Sequence, residues 1–202
     1  MMLNTLTLNQ ILEDLAAKKP TPGGGAVAGM LGGLSSALGN MVLAYSQGKQ
    51  SLEEYSSLHE DCIKFLQIAK DEAIALGDAD AEAYVKVSAL WKLSKSDPNR
   101  IDQWDVAIAQ AIKIPLQTME LSHRILVTLN TLVGKTNEML ASDLAIAAIL
   151  AESAARAAWW NVGINTKQME CESQAKSFTD HSNQLLGLCK ELASLIEQSC
   201  RV

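Results

Sequence analysis

Four prolines, nine aromatic side chains (four Trp, three Tyr, two Phe) and three histidines are all that 202 residues contain of those types. So few prolines and aromatics weigh against a turn-rich β-sandwich. Cys62, Cys171, Cys189 and Cys200 form no CxxC pair, which excludes a disulfide scaffold and reads as free thiols in a reducing cytoplasm. His59, His123 and His181 stand alone, without HxxxH spacing, so no metal site is expected. Lys and Arg number 17 against 23 Asp and Glu, and a net charge of −6 leaves no electrostatic footprint for nucleic acid. The N-terminal residues carry acids by position 13 and do not read as a signal peptide.

What is present is small and aliphatic: 48% of residues are hydrophobic, most of them Ala, Leu, Ile and Val. That composition suits closely packed helices, and the length suits one domain over 1–202. Thr7 and Gln10 make a capping box for a short helix to about Lys19. Pro20-Thr21-Pro22-Gly23-Gly24-Gly25 then breaks the chain. From Thr21 to Gly48 no residue is charged, and Gly25, Gly29 and Gly33 recur every fourth position. The stretch could span a bilayer by length, but its Ser35, Ser36 and Asn40 favour a central helix buried in a bundle, with no membrane association. Further helices are predicted over about 51–91, loosened near Gly77; from Asp97-Pro98 onward, kinked at Pro115; over 140–168; and over 172–198. The fold class is all-α, a multihelical bundle.

Two nucleotide-binding patterns fail on context. Gly23-x-Gly25-x-x-Ala28 follows KKPTP rather than a strand, and Gly134-Lys135-Thr136 has Leu129 where a phosphate loop needs glycine. The triple glycine still offers free backbone N–H groups at a helix start, able to bind an anion or carbonyl.

The informative residues are polar groups on apolar stripes. Cys62, Leu66, Ala69, Ala73, Leu76, Ala83, Tyr84, Val87 and Trp91 share one helical face with Asp80 in its middle, while Asp78 and Glu82 read as solvated charges. Met139, Ile146, Ala147, Leu150, Ala154, Ala157 and Ile164 form a second stripe that contains Asp143, Asn161 and Asn165. Glu152 and Arg156 pair on the opposite side. Burial raises a carboxylate pKa towards the range of a general acid or base. Asp143 and Asn161 are about 27 Å apart along the helix at 1.5 Å per residue, so they cannot serve one small reacting group within one chain. Either the ligand is long or a symmetric partner brings the far end of this helix to another site; the second is the more economical, so a homodimer is expected.

These residues fall in blocks that resemble a known family. PTPGGGAVAG through LGGLSSALGNMVLAYSQGK, Asp80-Ala81-Glu82-Ala83-Tyr84, Ala111 with Pro115, Ser142-Asp143 and Asn161-Val162-Gly163-Ile164-Asn165 are similar, in order and spacing, to the cyclodeaminase domain of formiminotransferase-cyclodeaminase and to stand-alone methenyltetrahydrofolate cyclohydrolases. The likeness covers about 8–168. Where the family carries Gly-Asn ahead of its Ser-Asp, this chain has Thr136-Asn137; Leu52 replaces an aromatic, Leu93-Ser94-Lys95 replaces Leu-Pro-Lys, and Lys49 is kept. The resemblance implies a helical dimer acting on a reduced folate, with no cofactor. It implies Asp143 or Asp80 as the catalytic carboxylate, and Thr21, Gly23, Gly24, Gly25, Lys49, Asn137, Ser142, Asn161 and Asn165 as substrate-binding, with Lys49 meeting the folate's glutamate tail. The length leaves no room for a fused transferase domain, which favours the cyclohydrolase reaction. The cyclodeaminase reaction and a non-catalytic folate-binding helical protein are the alternatives.

Overall fold

The computed structural model describes residues 2–201, and among these there are six α-helices and no strand. They are α1 (Leu8–Ala16), α2 (Gly24–Ala44), α3 (Ser56–Trp91), α4 (Pro98–Thr131), α5 (Ala141–Thr166) and α6 (Glu172–Ser199), with short 3-10 turns at Leu3–Thr5, Gln50–Tyr55 and Glu138–Leu140. The Thr7–Gln10 capping box opens α1, and the Asp97 carboxylate accepts from the Asn99 N–H to open α4 with Pro98 in its first turn.

Side-chain contacts fix the topology. Gly24 faces Asn161, Ser35 Oγ donates to the Ala147 carbonyl at 2.7 Å, and the Asn137 N–H donates to Ser46 Oγ at 2.9 Å. Helices α2 and α5 are therefore antiparallel. The same reasoning from Gly29 to Ala73, Arg124 to Glu72 and Trp159 to Asn183 gives an up-and-down bundle of five long helices, α2 to α6. At its centre lies α2. It is long and apolar enough to cross a membrane, but it packs between α3 and α5 with Ser35 and Ser36 fully buried.

The glycine stripe explains the close packing. A Cβ on Gly29 would stand 2.5 Å from the Ala73 carbonyl oxygen and 2.9 Å from the Gly77 Cα, so two glycines meet where α2 crosses α3. Gly77 therefore does not loosen its helix: α3 runs unbroken from Ser56 to Trp91, and the missing side chain serves interhelical approach. Two apolar clusters fill the bundle. One, around Leu43, Leu66, Leu126, Leu129 and Ala148, lies towards the end of α2. The other, around Ala83, Val87, Ile112, Met119, Ala158 and Val162, floors the site described next.

Two expectations about faces are corrected. The α5 stripe that holds Asp143 faces the core only in part: Ala147 and Ala154 are buried, but Met139 is 86% and Ile146 46% exposed, and Ile164 is exposed too. The buried face is Leu144, Ala147, Ala148, Ala151, Ala154, Ala155, Ala158 and Val162. Helix α5 is apolar almost all round, and its alanines, not its larger residues, allow α2, α4 and α6 to approach it. Glu152 lies on that inner side, 9% exposed and paired with Arg156 at 3.1 Å. Asp78 is likewise not a free surface charge; its carboxylate accepts from the Leu3 N–H at 3.0 Å and ties the N-terminal turn to α3.

All four cysteines are free, with Cys62, Cys189 and Cys200 buried. His59 is buried, its Nε2 2.7 Å from the Lys135 carbonyl oxygen.

Candidate active site

Helical spacing assembles one cleft at the end of the bundle where α2 begins. Asp80, Tyr84, Val87 and Trp91 recur on one face of α3, and Asn161, Ile164, Asn165 and Gln168 on one face at the end of α5. Pro20, Thr21 and Gly23–Gly25 bring the start of α2 between them, and Ala111 of α4 closes the back. The cavity measures about 390 Å³, within the roughly 300–1,000 Å³ usual for small-molecule sites.

Asp80 is the one carboxylate among the residues that line the cleft. A Cβ at Gly25 would lie 1.9 Å from Asp80 Oδ2, so the carboxyl group rests directly on the α2 backbone in space only glycine leaves. Among the described residues no hydrogen bond or ion pair reaches it, and burial pushes its pKa from 3.8 up to about 6. Across the cleft, Asn161 packs over Gly24, its Nδ2 buried and without a partner among the described residues. Asn165 Nδ2 donates to the Ala111 carbonyl at 2.8 Å. The site thus joins a carboxylate with a raised pKa, a free carboxamide donor, a fixed carboxamide and the N-terminal N–H groups of α2.

The rim is aromatic. Trp91 meets Trp104 edge-on at 5.9 Å, Arg100 covers the Trp104 ring, and Trp104 Nε1 donates to the Gln168 carbonyl. Tyr84 and Trp91 belong to the apolar face that the sequence places around Asp80, but only the structure makes them part of the cleft wall, together with Gln168. Their spacing held the signal, since position 84 lies one turn beyond Asp80 and 168 one turn beyond Asn165.

Of the residues read from sequence, Thr21, Gly23, Gly24, Gly25, Asp80, Asn161 and Asn165 line this cleft. Lys49, Asn137, Ser142 and Asp143 do not. They lie at the opposite end of the bundle, where Lys49 borders a separate hollow with Gln47, Leu52 and His59, and Asn137 is held by Ser46. Asp143 is half-buried in the first turn of α5.

A partnerless, partly buried carboxylate facing two carboxamides thus lies at one end of an up-and-down bundle, and the protein is all-α. The comparisons with known proteins are narrower. The family model described as formiminotransferase-cyclodeaminase matches residues 7–184, and the chain belongs to that family. It is 30% identical to the formimidoyltransferase-cyclodeaminase of Gallus gallus over 198 residues, 96% of this chain but 37% of that protein. The chain thus spans little more than a third of that relative's length. It is 25% identical to the methenyltetrahydrofolate cyclohydrolase of Methylorubrum extorquens over 98% of this chain and 95% of that one. Among solved structures, the formiminotetrahydrofolate cyclodeaminase of Thermotoga maritima superposes with a TM-score of 0.90 at 25% identity, covering 98% of this chain and 96% of that chain.

Proposed function

We propose that this chain is a folate one-carbon enzyme that hydrolyses 5,10-methenyltetrahydrofolate to 10-formyltetrahydrofolate. The observation that carries the reading is Asp80, partly buried against the Gly25 backbone opposite Asn161 and Asn165, with its pKa raised to about 6. The substrate's one-carbon unit is an amidinium carbon held between the N5 and N10 nitrogens. Asp80 as carboxylate takes a proton from water as the oxygen attacks that carbon, and the cation beside it favours the ionised form. The tetrahedral adduct collapses with cleavage of the N5–carbon bond, N5 gains a proton, and the carbon stays on N10 as a formyl group. One proton is released overall. Asn161 Nδ2 and the Asn165 carboxamide hold the pterin, and Trp91 and Tyr84 flank it. No electron is transferred, so the reaction calls for no cofactor, and free buried thiols suit the cytoplasm.

The dimer belongs to the same proposal. Ile146 and Ile149 leave apolar surface along α5 between the Asp80 end and the Asp143 end, and Met139 is exposed just before the helix. An antiparallel pair would set Lys49, Asn137, Ser142 and Asp143 of one protomer at the cleft of the other. Lys49 then meets the carboxylates of the glutamate tail. Mixing Asp80→Asn with Asp143→Asn protomers tests this, because a shared site regains activity in the mixed dimer and a self-contained one does not.

The cyclodeaminase reaction is the second reading, favoured by the name of the Thermotoga maritima neighbour. There Asp80 would take the N10 proton as N10 attacks the formimino carbon, and return it to the departing ammonia. One pair of assays separates the readings. Loss of 5,10-methenyltetrahydrofolate absorbance above the spontaneous rate supports the hydrolase. Ammonia release from 5-formiminotetrahydrofolate, without such acceleration, installs the cyclodeaminase. Folate binding with neither activity leaves a binding protein.

A further inference from the structure

We propose that Pro115 is a positioning residue of the cleft: lacking a backbone N–H, it leaves the Ala111 carbonyl open to the Asn165 carboxamide and so sets which atoms Asn165 offers the substrate. The inference rests on the functional reading above. In a regular helix the Ala111 carbonyl would accept from the N–H of residue 115. Proline has none, and its ring crowds the carbonyl four residues back, turning it off the helix axis. Pro115 nevertheless sits buried in the middle of α4, a 34-residue helix, between buried Ile114 and Leu116. The Ala111 carbonyl that it frees receives Asn165 Nδ2 from α5 at 2.8 Å, a contact across 54 positions of sequence.

A carbonyl oxygen only accepts, so the Asn165 amide must face Ala111 with its nitrogen. Its Oδ1 and second amide hydrogen remain for the cleft that Asn165 lines. Asn161 presents the complementary atom, a buried Nδ2 without a partner among the described residues. One free donor and one fixed acceptor, four positions apart on the same helix face, suit a ligand edge that sets a carbonyl beside an N–H, as the amide of a pterin does. Were Asn165 free to turn over, two donors would face that edge and its N–H would lose an acceptor.

The test uses Pro115→Ala, Asn165→Ala and the double variant. Affinity for 5-formyltetrahydrofolate, a stable folate, is measured by titration calorimetry, and KM and kcat are measured with 5,10-methenyltetrahydrofolate. The Asn165 side-chain amide is followed by 15N NMR. Pro115→Ala is expected to weaken folate binding and raise KM about tenfold with a much smaller change in kcat. The double variant should be no weaker than Asn165→Ala alone. In the wild type one Asn165 amide hydrogen should exchange slowly, and Pro115→Ala should speed that exchange. Unchanged affinity in Pro115→Ala, or penalties that multiply in the double variant, would overturn the proposal, as would fast exchange of both Asn165 hydrogens in the wild type. If the wild type binds no folate, the functional reading fails, while the exchange measurement still decides whether Pro115 holds Asn165.

Discussion

Replacing Asp80 by asparagine should make the protein more stable at neutral pH while removing its activity. The unfolded chain titrates this group near 3.8 and the folded chain near 6, because burial disfavours the charge. Between those values the folded state binds the extra proton, so folding stability is full below about pH 4 and falls as pH rises through 6. A shift of about two units at 1.36 kcal/mol per unit places the cost at pH 7 near 3 kcal/mol. Asparagine keeps the shape without the charge but still buries a polar amide, so the net gain is about 1–3 kcal/mol. Urea unfolding of wild type and Asp80→Asn at pH 7 and at pH 4 measures it. The variant should be the more stable at pH 7, and the difference should shrink towards zero at pH 4. A variant less stable at pH 7, or equally stabilised at both values, would refute the burial argument.

Other substitutions probe the geometry. Gly25→Ala drives a methyl group into the Asp80 carboxyl; it should abolish turnover and lower Tm, and Asp80→Ala added to it should restore Tm but not turnover. Gly29→Ala meets backbone rather than a movable side chain, at Ala73 and Gly77, so denaturant unfolding should show a loss of about 1–3 kcal/mol. Lys49→Glu should raise KM for the folate much more than it lowers kcat, seen in steady-state kinetics against substrates with longer glutamate tails.

Much of this architecture was legible in the sequence because its signals were periodic. Glycine at every fourth position marked the α2–α3 crossing, and Asp80, Asn161 and Asn165 stood out as polar interruptions of apolar faces. The Thr7 and Asp97 caps were legible because each helix start leaves N–H groups that a side chain must satisfy. Helix α5 defeated the same reasoning. With alanine or a larger aliphatic on nearly every side, its periodicity could not separate the face buried in the bundle from the face that carries Met139, Ile146 and Asp143. Nor could spacing reveal that Pro115, legible as a helix perturbation, frees a carbonyl for a residue 50 positions later. That link is tertiary, and it needs α4 and α5 side by side. The role of Asp78 is hidden from spacing for a similar reason, since its partner is the Leu3 N–H, 75 residues away.

Placing the chemistry on Asp80 is most directly tested by the single-turnover ring-opening rate of 5,10-methenyltetrahydrofolate in wild type and Asp80→Asn at saturating protein. Loss of a general base predicts a drop of roughly a hundredfold or more, with substrate affinity changed far less than the rate. An Asp80→Asn protein that opens the ring at the wild-type rate would contradict it.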